Sequence, residues 1–182
     1  MRREVFGDEG GLVCTFAGEL SNRKNQAFLI RAVHRLRQEG IPMRLMLLGE
    51  GNTRRDLCRL IEELQLQEHV QLLGKQKVLP YLQSTDVYLT ASRSEGLPFN
   101  LMEAMSCGLP TVASAVKGHR DLLDETDGHL YSLDNMDSFC EIIHELYKKG
   151  SYGVGTVFYP NLEKYRLSSV FQENLKIFML ES

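Results

Sequence analysis

From residue 11 onward, short continuous apolar runs alternate with longer stretches whose apolar residues recur every three or four positions. The run Leu12-Val13-Cys14-Thr15-Phe16 predicts a buried strand. Residues 25–39 predict a helix, with Phe28, Leu29, Ala32, Val33 and Leu36 on one face. Gly40 and Pro42 end that helix. Leu45-Met46-Leu47-Leu48-Gly49 predicts the next strand and residues 53–64 the next helix. The alternation continues with the strand Val70-Gln71-Leu72-Leu73, a short helix over 79–84 and the strand Val87-Tyr88-Leu89-Thr90. A helix carrying Glu103 follows, then the strand Thr111-Val112-Ala113, a short strand at Leu130-Tyr131 and a helix over 136–149.

Continuous apolar strands alternating with helices predict an α/β fold, a doubly wound parallel sheet covered on both faces. Such sheets bind ligands beyond the carboxyl ends of their strands. Four loops follow strands and bear glycine or polar residues: 18–24, 49–52, 74–77 and 92–98. Together they predict one composite site. Glycines over 150–155 break the pattern, and residues 168–180 predict a last amphipathic helix with Val170, Phe171, Leu175, Phe178 and Met179. The chain thus divides into a linker or artificial start at 1–10, a main unit at 11–160 and a tail at 161–182.

Composition narrows the chemistry. An apolar share of 43% over 182 residues supports a full core, and a net charge of −3 gives no general pull toward nucleic acid. Any anion site is therefore local. Cys14, Cys58, Cys107 and Cys140 form no C-x-x-C pair, which predicts a reduced, intracellular chain without disulfides or zinc. No apolar run reaches membrane-spanning length and no secretory signal opens the chain.

The most specific stretch runs from Ser94 through Glu95-Gly96-Leu97-Pro98-Phe99-Asn100-Leu101-Met102 to Glu103, and on to Gly108-Leu109-Pro110. Glu95 falls in a loop, Pro98 suits a first helical position, and Gly108 with Pro110 stops the helix. A helix start offers free N–H groups and partial positive charge to a phosphate. Acceptor-only carboxylates on either side suit sugar hydroxyls. Hydroxyl, phosphate and hydroxyl together describe a sugar nucleotide. Glu103 alone is also compatible with a first-turn acid complementing the helix dipole, worth a few tenths of a kcal/mol.

Other motifs carry less. Arg23-Lys24 is either a solvated pair or a counter-charge to a diphosphate leaving group, with Lys24 the stronger candidate. Gly49-Glu50-Gly51 lacks the third glycine of a dinucleotide fingerprint and predicts a tight turn, near a ligand or not. Lys117-Gly118-His119-Arg120-Asp121 follows a strand, and His119 there is expected to be an exposed loop histidine rather than a base. His34, His69, His129 and His144 have no partners that suggest metal or triad chemistry.

Gly18-Glu19-Leu20-Ser21-Asn22-Arg23-Lys24-Asn25-Gln26, Gly49-Glu50-Gly51 and the Glu95/Glu103 motif resemble the nucleotide-binding half of retaining GT-B glycosyltransferases, group 1 or family 4. That family builds bacterial capsule, exopolysaccharide and lipopolysaccharide. The resemblance covers nearly all of the chain from Gly11, and the E-x7-E motif continuing as Glu-Ala-Met-Ser-Cys-Gly-Leu-Pro is its specific part. It implies a Rossmann-like donor domain of a cytoplasmic enzyme, at the inner face of the membrane, that closes on an N-terminal acceptor domain. No residues before Gly11 could form that domain, so the chain is expected to bind donor and catalyse little. The tail, with Leu162 and Tyr165, resembles the helix that crosses back toward the other domain.

Carried over by residue, the resemblance makes Glu95 a contact to the donor sugar and Glu103 the ribose contact. Gly96, Leu97, Phe99 and Asn100 would lie at the distal phosphate and sugar, and Gly18, Lys24 and Arg23 at the diphosphate. Gly49, Gly51, Lys75, Gln76 and Val78 would surround the base of a UDP- or GDP-sugar. No bound metal and no separate cofactor are implied, because basic side chains and the helix dipole take the cation's place. One departure stands out: many members have Arg after the residue equivalent to Gly18, and this chain has Glu19. Either Arg23 takes over part of that charge or phosphate binding weakens. Two other classes share such a pocket: a non-catalytic sugar-nucleotide module and a GT-B epimerase.

Overall fold

The apolar runs become six parallel strands of one sheet, in the order β3-β2-β1-β4-β5-β6. These are β1 (Leu12–Ala17), β2 (Met43–Leu48), β3 (Val70–Gly74), β4 (Val87–Thr90), β5 (Thr111–Ser114) and β6 (His129–Tyr131). The computed structural model describes residues 1–7, 10–123, 128–150 and 152–159. Seven helices accompany the strands among these residues: α1 (Arg2–Phe6), α2 (Gln26–Gln38), α3 (Arg54–Glu63), α4 (Val78–Leu82), α5 (Phe99–Ser106), α6 (Lys117–Leu123) and α7 (Met136–Lys149).

Alternation along each strand sends side chains to two cores. Leu12, Cys14 and Phe16 of β1, with Leu45, Leu47, Val87 and Leu89, pack under α2, α3 and α7 through Leu29, Val33, Leu57, Ile61 and Ile143. Ala17, Leu48, Tyr88 and Ala113 pack on the other face against α4, α5 and α6 through Leu82, Leu101, Ala104 and Leu122. Central β1 is buried along its whole length, as continuous apolar runs of parallel sheets require. Chain order reverses at the β1–β4 pair, so the loops after these two strands diverge and leave a crevice between them.

The segment read as a linker includes α1, which is tied to the sheet. Arg2 Nη2 lies 2.6 Å from Asp86 Oδ1, and Asp86 Oδ2 accepts from the Val13 amide at 2.8 Å. The Arg44 guanidinium donates to the Phe6 carbonyl at 2.8 Å and lies over the Phe6 ring. A five-residue helix offers no apolar period to read; its anchors are distant in sequence. Residues 117–121, expected as a loop, open α6 instead. After α7, Gly150 adopts a left-handed cap, and the chain returns across the sheet until the Tyr159 hydroxyl donates to the Leu109 carbonyl at 2.8 Å. The expected helix over 168–180 and the tail with Leu162 and Tyr165 lie outside the described residues.

Two glycines between β2 and α3 are needed by packing. A Cβ on Gly49 would lie 1.9 Å from the Gly18 carbonyl oxygen, and one on Gly51 would lie 2.0 Å from the Leu20 carbonyl oxygen. The backbones of the loops after β1 and β2 therefore touch, joined by the Leu20 amide donating to the Glu50 carbonyl at 2.9 Å. Gly96 differs, since a Cβ there meets nothing within 4 Å. Gly51→Ala is expected to lower the unfolding free energy by about 2–3 kcal/mol through forced displacement of backbone. Gly96→Ala is expected to leave it unchanged. Denaturant unfolding of both variants checks the contrast, and equal stabilities would refute the packing account.

Candidate functional site

The loop after β1 begins with a tight turn in which the Ser21 carbonyl accepts from the Lys24 amide at 3.1 Å and the Asn25 amide at 3.0 Å. Asn25 closes the turn in the left-handed region, with φ 55°, a conformation Asn tolerates better than most residues. The turn sends Lys24 inward, where it is 7% exposed. The loop after β4 meets it: the Arg93 amide donates to the Arg23 carbonyl at 2.8 Å.

Side chains reinforce that junction. Lys24 Nζ lies 2.6 Å from Glu95 Oε1, Arg23 Nη1 lies 3.1 Å from Glu95 Oε2, and the same Arg23 nitrogen donates to the Ser94 carbonyl at 3.0 Å. Burial by itself would raise the Glu95 carboxyl. The hydrogen bonds from Lys24 and Ser92 and the charges of Lys24 and Arg23 outweigh that effect and hold it below the usual carboxylate range. Two cations face one carboxylate, so the cluster keeps one net positive charge. A charge of that sign at the strand ends attracts an anion.

The loop after β1 also contributes Gly18 and Glu19 to a cavity of about 330 Å³ lined further by Leu48, Gly49, Glu50, Lys75, Gln76 and Val78. It joins the ends of β1, β2 and β3 and holds five of the residues expected around a base and diphosphate; Glu19 and Glu50 belong to the loops expected to form the site, and Leu48 alone lies outside them. Asn100 fixes the cavity's edge by donating to the Ala17 carbonyl, which also accepts from the Tyr88 hydroxyl at 3.2 Å. Gly51 is not part of this lining. Its lack of a side chain is explained by the Leu20 carbonyl.

Pro98 caps α5 rather than occupying its first turn, and Phe99 is the first helical residue. Glu103 is the fifth, beyond a first turn that contains no acid, so the dipole does not account for it. Its side chain is exposed and makes no hydrogen bond or ion pair among the described residues. Gly96, Leu97 and Phe99 are exposed, Phe99 at 68%. These residues bear groups toward solvent where the fold does not use them.

His119 departs from expectation: it lies in the first turn of α6 and is buried. Its Nδ1 lies 2.7 Å from the Ser114 carbonyl oxygen, and the Ser114 hydroxyl donates to the Ser92 carbonyl at 2.6 Å. The residues that would have foretold this, Ser92 and Ser114, have no sequence signal of their own. A larger cleft of about 440 Å³ between α2 and α3 contains none of the expected site residues. No cluster of His, Cys, Asp and Glu able to hold a metal occurs among the described residues, and all four cysteines are free.

Fold and site together define an α/β, Rossmann-like domain with a charged pocket at its strand ends. The sequence model of the family described as glycosyl transferases, group 1, matches residues 1–153. This chain belongs to that family. An N-acetylgalactosaminyltransferase of Campylobacter jejuni, named for a diphospho-undecaprenol acceptor, is 37% identical over 124 residues, 66% of this chain and 33% of that protein. The UDP-Gal:α-D-GlcNAc-diphosphoundecaprenol α-1,3-galactosyltransferase of Escherichia coli is 30% identical over 145 residues, 76% of this chain and 38% of that protein. The crystal structure of the pneumococcal O-GlcNAc transferase GtfA with UDP and GlcNAc superimposes with a TM-score of 0.71 at 27% identity, over 76% of this chain and 29% of GtfA. The chain thus spans about a third of the length of the curated relatives it matches.

The ion pairs of Glu95 yield a test of pH dependence. Glu95→Gln leaves Lys24 buried without its counter-charge and is expected to cost about 1–3 kcal/mol of stability. Because the folded carboxyl is depressed below its ordinary 4.5, its contribution is complete above that pH and lost as pH falls through the folded value. The gap in Tm between parent and Glu95→Gln is therefore full at pH 7 and narrows below pH 4.5. Thermal unfolding across that range reads it; a gap independent of pH contradicts the assignment.

Proposed function

We propose that this domain binds a nucleoside diphosphate sugar, with UDP the favoured nucleotide, as the donor half of a retaining glycosyltransferase of polysaccharide biosynthesis. The observation that carries the reading is the buried Lys24–Glu95 pair, at the point where chain order reverses and on the same loop after β1 that lines the open cavity. A diphosphate placed there meets Lys24, Arg23 and the N-terminal amides of α5, a helix of eight residues. Arg23 also reaches Glu95, which supports it as the charge that stands in where Glu19 replaces arginine. Exposed, unpaired Glu103 suits the two hydroxyls of ribose, and the cavity from Gly18 to Val78 suits the base. Gly96, with open space around it, admits the phosphate and sugar closely.

In the transfer, the acceptor hydroxyl oxygen attacks the anomeric carbon on the face from which the diphosphate departs, so the configuration is retained. The C–O bond to the phosphate breaks, and a phosphate oxygen takes the hydroxyl proton. Lys24, Arg23 and the α5 N-terminus stabilise the departing charge, the work a bound metal performs elsewhere. Glu95 holds the sugar's hydroxyls. The UDP-containing names of the E. coli relative and of the GtfA complex support the nucleotide. The lipid-linked acceptors named for two relatives support an acceptor of that kind, bound by a second domain at the cytoplasmic face of the membrane.

Calorimetric titration of UDP, GDP and ADP against the chain tests the pocket. UDP is expected to bind most tightly. Glu103→Ala, which removes no internal contact, is expected to weaken it about 10-fold or more through loss of charge-assisted hydrogen bonds to ribose. Parent-like affinity in Glu103→Ala would rule out the ribose assignment, and absence of binding by all three nucleotides would rule out the pocket.

A further inference from the structure

We propose that His119 contacts the transferred sugar, its Nε2 lone pair accepting a hydrogen bond from a sugar hydroxyl beside Glu95. The proposal rests on the donor-site reading above and adds to it a residue that selects for a hydroxyl at one position of the sugar.

Backbone contacts put His119 at the site. The first turn of α6 sits directly on the Glu95–Gly96 loop. The Gly118 amide donates to the Glu95 carbonyl at 3.2 Å, and a Cβ on Gly118 would lie 2.3 Å from the Gly96 carbonyl oxygen. His119 is the next residue.

The ring is also held in one chemical state. The Ser114 carbonyl can only accept, so the Nδ1 that lies 2.7 Å from it carries the proton. The Ser114 hydroxyl, 3.3 Å from Nδ1, is itself committed to the Ser92 carbonyl. Burial pushes the ring's pKa below its ordinary 6.5, only partly opposed by the Ser114 carbonyl and Glu95, so the imidazole is neutral at pH 7. Nε2 is then an acceptor, and it makes no hydrogen bond among the described residues. It is not among the fully buried unpartnered atoms, so it is open to a donor from outside the fold. Glu95 has none to give, and Lys24 is held to Glu95 by one of its three N–H groups. A sugar hydroxyl fits this arrangement because it donates to Nε2 or Glu95 while accepting from Lys24.

The test separates the sugar from the nucleotide. Asn in place of His119 keeps an N–H at the Nδ1 position and removes the Nε2 acceptor, whereas Gln places an amide near Nε2. Affinities for UDP and for UDP-glucose, UDP-galactose and UDP-N-acetylglucosamine are measured on the full chain by calorimetry. His119→Asn is expected to keep the parent's Tm and UDP affinity and to bind the parent's preferred UDP-sugar about 3- to 10-fold more weakly. His119→Gln is expected to recover part of that loss. Parent-like UDP-sugar binding by His119→Asn, or an equal loss for UDP and UDP-sugar, overturns the proposal in favour of a structural histidine filled by water. A parent that binds neither UDP nor any UDP-sugar overturns the donor-site reading and this contact with it. Independently of folding in the variants, ¹⁵N spectra of histidine-labelled parent are expected to show the Nε2 resonance moving with UDP-sugar and staying with UDP. Identical spectra with the two ligands overturn the contact.

Discussion

The Glu95 carboxylate is the constraint on which the site's geometry depends. It accepts from Lys24 and Arg23, residues about 70 positions away, and so joins the loop after β1 to the loop after β4. A carboxylate with a side chain 7% exposed would ordinarily be too costly to leave charged. Here two cations and a serine hydroxyl hold it ionised, and the turn at Ser21–Asn25 keeps Lys24 in place. The result is a polar cluster with one positive charge to spare, set where the doubly wound sheet opens its crevice.

Close backbone approach is the second condition. Gly49 and Gly51 allow the loop after β2 to rest against Gly18 and Leu20, and Gly118 allows α6 to rest against Glu95 and Gly96. These contacts draw four strand ends into one surface. The glycines near the site therefore divide by cause. Those three serve the protein's own packing, while Gly96 has no internal neighbour to accommodate.

The strands and most helices were legible because parallel strands buried on both faces need continuous apolar runs. Residues 136–149 were predicted as a helix and form α7 with those bounds, since its apolar face repeats at helical spacing. The E-x7-E motif was legible for a similar reason: one carboxylate in a loop before a helix and one inside that helix, followed by glycine and proline, are informative within a dozen residues. α1 was not, because five residues carry no period and its stability comes from Asp86 and Arg44. Nor was the placement of α6, whose first residues read locally as a glycine-bearing loop.

The candidate site divides along the same line. The sequence by itself determined the sheet class, the order of elements and the residues with charges or hydroxyls to offer at strand ends, because each follows from local period and local chemistry. Only the tertiary structure decided which of them meet. It paired Lys24 and Glu95, left Glu103 unpartnered on the second turn of α5, and buried His119 with one ring nitrogen engaged and the other open. The Lys24–Glu95 pair crosses β1–β4 and the Ser114–Ser92 bond that backs His119 crosses β4–β5, and no window of neighbouring residues contains both partners of either contact.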